Sequence, residues 1–311
     1  MKTMAMKRII FLLAFVALVS TPVIAARKAG NVNIKPPTDV DSNIPIGAEK
    51  AGRYDIAVVI GNKSYLPHAD DVDYAIRDAE VMKEYLVTLM GFDPKNVFLH
   101  KDANRLVMEE EFGTRNEPGG HISELVVKGQ SRVFVYYAGH GAPDGEGNNL
   151  ESYFVPVGAD LKRLKITGYR QQTLYDNLAK LGAKSVTVVL DTCFSGMLPN
   201  KGGSLIKGVS AVSRTPPKIA AAPDSILRIT SSKNDQVSTW YPEMKHGLFT
   251  YYYLKGLRGE ADANSDGRIT AAEMRGWLDK YVPFEARRLS SKQQTPEVEG
   301  DDSAVLVVLK R

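Results

Sequence analysis

Three stretches of the chain, IAVVI at 56–60, VFVYY at 133–137 and VTVVL at 186–190, are apolar at nearly every position instead of at alternate ones. A strand buried on both faces requires that pattern, whereas a strand with one wet face alternates. Further β-rich runs lie at 96–100, 225–232 and 304–309, and the runs alternate with helix-period segments such as YAIRDAEVMKEYLVTLM, a helix expected over about 72–90. Strands covered by interleaved helices predict a three-layer α/β/α domain with a mostly parallel central sheet. In such sheets ligands bind just beyond the carboxyl ends of the strands.

The stretch before this domain reads differently. Lys2, Lys7 and Arg8 precede an apolar run from Ile9 to Val19, and small residues follow around Val23, Ala25 and Ala26. This is the layout of a secretory signal peptide over 1–25, cleaved near Ala25. The run of 11 residues is short of the roughly 20 that span a bilayer as a helix, so export is expected without a permanent membrane anchor. Residues 26–52 are polar and punctuated by Pro and Gly, as in a linker or N-terminal arm, and folded sequence is expected over 53–311.

Composition narrows the classes. With 43 % hydrophobic and 24 % charged residues among 311, the chain is neither disordered, collagen-like nor polytopic. Its formal charge of +4 is largely the export signal: removing three of the 40 basic residues leaves 37 against 36 acidic ones. A nucleic-acid binder keeps a strong basic excess, so no nucleic-acid partner is expected. One cysteine excludes an internal disulfide and a thiolate zinc site.

That cysteine stands where the fold places chemistry. VFVYY runs into Ala138-Gly139-His140-Gly141, and VTVVL into Asp191-Thr192-Cys193-Phe194-Ser195-Gly196, so an imidazole and a thiol leave two buried strands at one edge. In a cysteine hydrolase a thiolate attacks the scissile carbonyl, a histidine handles the protons, and backbone amides stabilise the oxyanion. Taken singly, each residue also fits a small buried thiol or a loop histidine.

The strings YYAGHG and DTCFSG, with histidine and cysteine 53 residues apart, resemble the caspase-like cysteine peptidases, specifically the metacaspase and bacterial caspase-domain branch. The resemblance covers about 53–311 and implies the caspase-like α/β/α fold. It implies a catalytic dyad of His140 and Cys193, with the amides of Gly141 and Cys193 as oxyanion hole. It also implies cleavage of peptide or protein substrates after Arg or Lys, with Asp191 as an acidic residue of the S1 pocket and Asp235 as a second candidate; Asp70 or Asp71 is a third. The Gln-Ala-Cys signature of Asp-directed caspases is absent, and Phe194 stands where metacaspases usually carry histidine.

Residues 197–222 are rich in Gly, Ser, Ala and Pro and carry Lys201, Lys207, Arg214 and Lys218 without an acidic residue. They read as an exposed loop. By resemblance they join a large-subunit-like part, 53–196, to a small-subunit-like part, 223–311, with self-cleavage expected after one of the four basic residues. Residues 262–273 match a calcium loop, with oxygen donors at Asp262, Asn264, Asp266, Thr270 and Glu273, the Arg268 carbonyl, and Gly267 at the sharp turn. The same residues also suit a helix cap. Calcium is the one cofactor expected; no organic cofactor is.

The leading reading is an exported cysteine endopeptidase. The alternative from another class is a non-catalytic scaffold on the same fold, and a third is a peptidase of the same clan with legumain- or gingipain-like specificity.

Overall fold

The computed structural model describes residues 40–48, 52–65, 69–145, 150–194, 223, 225–233 and 236–310. The expected export signal, the arm before Val40, the basic segment 197–222 with Lys201, Lys207, Arg214 and Lys218, and Asp235 lie outside the described residues.

The continuous apolar runs become the middle of a six-stranded sheet. Strands β1 (Ile56–Gly61), β2 (Val97–Lys101) and β3 (Arg132–Ala138) are joined by β7 (Ser185–Asp191) and β8 (Ile226–Thr230), all parallel. A short antiparallel strand, β12 (Glu297–Glu299), closes the β8 edge, so the order is β12-β8-β7-β3-β1-β2. Alternate residues divide between two cores. Ala57 and Val59 of β1, with Phe134 and Tyr136 of β3, face α1 (Ala75–Thr88), α6 (Leu248–Lys255) and α7 (Ala271–Ser290). Ile56, Val58 and Ile60, with Val133 and Val135, face α2 (Arg105–Phe112), α3 (His121–Leu125) and α5 (Gln171–Lys180). Each such side chain removed from water contributes about 1.5–3 kcal/mol, and only a sheet covered on both faces buries every residue of such a run. The expected three-layer, mostly parallel architecture is thus the observed one.

Smaller sheets lie outside these layers. Strands β4 (Gly141–Asp144), β5 (Glu151–Phe154) and β6 (Tyr169–Arg170) form an antiparallel sheet between β3 and α5, with the short α4 (Leu164–Thr167) before β6. Strands β9 (Trp240–Tyr241) and β10 (His246–Gly247) make a hairpin just before α6. The final apolar run, β13 (Val305–Val308), does not join the central sheet; it pairs with β11 (Arg268–Thr270), and its Leu306 and Val307 complete the core under α7.

The folded body also begins earlier than the apolar pattern suggests. Val40 is fully buried, its carbonyl accepts from Tyr85 Oη at 2.8 Å, and Gly47 bridges to Leu309. The arm from Val40 onward is therefore part of the domain surface, held by one apolar anchor and a short backbone pairing.

Candidate active site

Strand register builds the site. β3 and β7 pair with Ala138 opposite Asp191, so His140 and Cys193, each two residues further on, emerge side by side at the carboxyl edge. Both border one cleft with Val72, Tyr74, Asp78, Asp191, Thr192, Ser238, Trp240 and Gly247. The cleft has about 30 Å³ of room for water-sized occupants, about two solvent molecules. His140, Cys193 and Asp191 are at most 9 % exposed.

His140 is held from three sides. Its amide donates to Tyr65 Oη at 3.1 Å, Tyr137 Oη donates to its carbonyl at 2.8 Å, and the Tyr65 ring lies 4.5 Å from the imidazole. Gly139 is what lets the two tyrosines close in, since a Cβ there would stand 2.7 Å from Tyr65 Oη and 2.8 Å from Tyr137 Oη. His140 Nε2 lies 2.7 Å from the Asp70 carbonyl. A carbonyl only accepts, so Nε2 carries the proton and Nδ1 is left as the basic nitrogen. Burial holds His140 below the usual histidine range, against the pull of the Asp70 carbonyl and the charges of Asp70 and Asp71. Asp70 thus acts through its backbone, and Asp71 Oδ1 accepts from the Tyr65 amide at 2.9 Å. Among the described residues that border the cleft, neither Asp70 nor Asp71 is found.

Cys193 Sγ accepts from the Ser238 amide at 2.6 Å. Burial pushes the thiol up to about 11, and the Ser238 contacts only partly offset this. The resting pair is therefore neutral thiol and neutral imidazole. Phe194, the residue that departs from the family pattern, packs into the core at 5.6 Å from the Phe154 ring. It anchors the turn after Cys193 instead of facing the cleft.

The segment carrying Ser238 is stapled at both ends. Gln294, fully buried, donates through Nε2 to the Ser231 carbonyl at 3.1 Å and accepts through Oε1 from the Thr239 amide at 2.7 Å. Ser231 Oγ also contacts Ser238 Oγ. One side chain thereby fixes the loop whose amide touches the nucleophile.

Among the described residues the acidic floor consists of two, of which sequence reasoning found one. Asp191 Oδ2 accepts from Thr250 Oγ1 at 2.7 Å, so Tyr136 Oη, 2.7 Å from the same hydroxyl, is the donor there. Burial, with the nearby Asp78 charge, pushes Asp191 up to about 7, opposed by Thr250 and Ser238. Asp78 is the residue missed. It occupies the first turn of α1 on the same stripe as Ala75, Ala79 and Met82, and a carboxylate on the apolar face of an amphipathic helix was the available signal. Its Oδ2 accepts from the Gly247 amide at 3.0 Å and its Oδ1 meets His246 Nδ1.

The Asp-rich turn is closed by its own backbone. Asp262 Oδ2 accepts from the Gly267 amide at 2.8 Å, Asn264 Oδ1 from the Asp266 amide at 2.8 Å, and Asp266 Oδ1 from the Arg268 amide at 2.7 Å. Glu273 Oε2 takes the amide and hydroxyl of Thr270, completing a capping box at the start of α7. These hydrogen bonds fold the turn and cap α7, while Glu273 Oε1 is buried without a hydrogen-bond partner. Among the described residues no group of three or more His, Cys, Asp or Glu is arranged to hold a metal.

Comparison with known proteins gives one consistent result. A model of the caspase domain matches residues 55–303. The structure is similar to protein GSU0716 of Geobacter sulfurreducens, 18 % identical, with a TM-score of 0.52 over 82 % of this chain and 99 % of that one. It is similar also to caspase-1 of Spodoptera frugiperda, 14 % identical, with a TM-score of 0.52 over 88 % and 97 % of the two chains. At those identities the likeness is one of fold. No curated protein matches the sequence.

Proposed function

Since the chain belongs to the caspase domain family, whose members are cysteine peptidases acting on proteins, we propose that it is an endopeptidase that cuts after Arg or Lys through Cys193 and His140. The observation that carries this reading is the shared strand edge: the one thiol of the chain and a histidine with Nε2 already committed to a carbonyl border a single acid-floored cleft.

In the reaction, His140 Nδ1 takes the thiol proton as Sγ attacks the scissile carbonyl carbon, and the carbonyl electron pair moves onto its oxygen. The Gly141 and Cys193 amides receive that oxyanion. Collapse expels the amine, which His140 protonates, and a water deprotonated by His140 then releases the acyl group. A thiol at about 11 is a poor nucleophile on its own, so proton transfer to His140 accompanies attack instead of preceding it.

Asp191 faces the basic side chain of the substrate. A guanidinium entering beside it replaces lost hydration with a charge-assisted pair. Because the carboxyl titrates near 7, KM for basic substrates falls as pH rises through neutrality. Tyr74 and Trp240, edge to face with centroids 6.1 Å apart, border the same cleft and offer aromatic faces to a guanidinium. Export over 1–25 and self-cleavage at Lys201, Lys207, Arg214 or Lys218 belong to the same proposal, and N-terminal sequencing of the secreted protein and its Cys193-dependent fragments reads both. Calcium has no step in it.

The decisive experiment is hydrolysis of an Arg-P1 peptide reporter by wild type and by Cys193→Ala. Wild-type turnover that disappears in the variant supports the reading. Equal rates in both, or none in either under reducing conditions, overturns it.

A further inference from the structure

His246 is completely buried in the β9–β10 hairpin, yet each ring nitrogen meets a carboxylate: Nδ1 meets Asp78 Oδ1, and Nε2 lies 2.7 Å from Asp41 Oδ1. Burial raises the Asp78 carboxyl and its His246 bond opposes that rise; a ring with a proton on each nitrogen donates to both carboxylates. The result is a buried cation with an anion on either side, the arrangement that makes burial of charge tolerable. The two anions come from different places. Asp78 lies at the cleft, while Asp41 belongs to the N-terminal arm, where it also pairs with Arg77.

The next residue carries this charge to the pocket. Gly247 borders the cleft, gives its amide to Asp78, and sits so close to Asp191 that a Cβ would collide with Asp191 Oδ2. The chain of contacts therefore runs from the arm through Asp41, His246 and Asp78 to the carboxyl that faces substrate.

We infer that His246 is a positioning residue of the basic-P1 pocket, a buried cation clamped between Asp78 and the arm's Asp41, through which the N-terminal arm sets how strongly the pocket attracts a basic side chain. His246 offsets part of the Asp78 charge, so Asp191, although raised by burial and by Asp78, still ionises toward the substrate near neutrality. Without that cation, two close carboxylates compete, and Asp191 keeps its proton to higher pH. The groups facing His246 are Asp41 with its partner Arg77, Asp78, Tyr241 across the hairpin, and Tyr251 at 6.4 Å between ring centroids; Asp191 lies beyond Gly247, with Tyr136 behind Thr250. None of these but Arg77 can supply the missing positive charge.

The inference rests on the basic-P1 reading, and the test separates the two. His246→Asn retains a donor toward Asp78 without the charge, and Asp41→Asn removes only the outer anion. KM and kcat are measured from pH 5.5 to 9 with an Arg-P1 peptide and its uncharged citrulline analogue. For His246→Asn the midpoint of the fall in KM moves up by about one pH unit, the effect of a unit charge at about 10 Å and an effective dielectric near 20. At pH 7 this raises KM for the Arg peptide about fivefold, while the citrulline peptide and kcat change far less. Asp41→Asn removes an anion while Asp78 still pairs with the ring, so it moves the midpoint by less and in the opposite direction, and it supplies the result if His246→Asn fails to fold. An unmoved midpoint, or equal effects on both peptides, overturns the inference. If wild type cuts no Arg-P1 peptide, the functional reading has failed, and the carboxyl carbon of Asp191, titrated by NMR in carbon-13-labelled Cys193→Ala protein with and without His246→Asn, decides instead. An upward displacement supports the inference and no displacement overturns it.

Discussion

Two buried histidines serve the same cleft in opposite electrical states. His140, just past the end of β3, has Nε2 on a backbone carbonyl and shares the cleft with Cys193; His246, in the β9–β10 hairpin, has a carboxylate on each nitrogen. A carbonyl fixes a tautomer but brings no full charge, so burial keeps the first ring neutral and able to take a proton. Two carboxylates leave the second ring no open nitrogen with which to take a proton from the thiol. Burial alone therefore says nothing about what a histidine does; the chemistry of its partners decides between a base and a fixed cation.

Replacing each ring by asparagine is the strongest way to break this comparison. His140→Asn removes the base and is expected to lower kcat by about a thousandfold with little change in KM, within the range for general acid–base groups. His246→Asn acts on KM of basic substrates instead. Steady-state kinetics reads both, and a His140→Asn enzyme retaining more than a tenth of wild-type kcat would remove His140 from the chemistry.

Asp191→Asn sharpens the comparison from the substrate side. It is expected to reduce the preference for an Arg over a citrulline P1 peptide by about ten- to a hundredfold, the loss of one charge-assisted pair. Stability moves the other way. The Asp191 carboxyl is raised in the folded protein from 3.8 to about 7, so its neutral form is the one the fold favours. That contribution is complete below about pH 4 and is lost as pH rises through 7. The asparagine variant should be the more stable protein at pH 8, by up to about 4 kcal/mol, and nearly equal at pH 4. Urea unfolding at the two pH values checks this, and equal differences at both would show that the carboxyl does not titrate near neutrality.

A smaller effect is expected at Gln294, which touches neither histidine. Truncation to alanine frees the Ser231 carbonyl and the Thr239 amide, costs about 1–3 kcal/mol of stability, and lets the Ser238 amide drift from Sγ, lowering kcat/KM about tenfold. Unchanged kinetics in a destabilised protein would reduce Gln294 to a structural tie. The smallest effect is expected from calcium. Glu273 Oε2 serves the α7 cap while Oε1 has no partner, so calorimetric titration should show weak binding, saturating between about micromolar and about millimolar calcium, and no saturable heat to about 1 mM would leave the turn a helix cap alone.

Much of this was legible in the chain. The runs IAVVI, VFVYY and VTVVL determined a sheet buried on both faces, and the strand-end positions of His140 and Cys193 determined where chemistry had to lie, because the period of the pattern and the direction of a parallel strand are local properties. The Asp-rich turn shows the limit of such reading: a calcium loop and a helix cap ask for the same oxygens at the same spacing, and in the fold Glu273 gives Oε2 to the cap and keeps Oε1 without a partner. Asp78 sat in plain view on an apolar helix face, but nothing within α1 says that Gly247 and His246 lie 169 and 168 residues away against it.

What the sequence by itself determined, then, is the layered fold, the strand edge and the identity of the thiol and imidazole that meet there. Tertiary structure alone decided the protonation of each group: that burial and Asp78 bring Asp191 near neutrality, that the Asp70 carbonyl selects the tautomer of His140, and that the arm's Asp41 reaches His246. Charge states follow from partners brought together across the chain, and no local pattern encodes those distances.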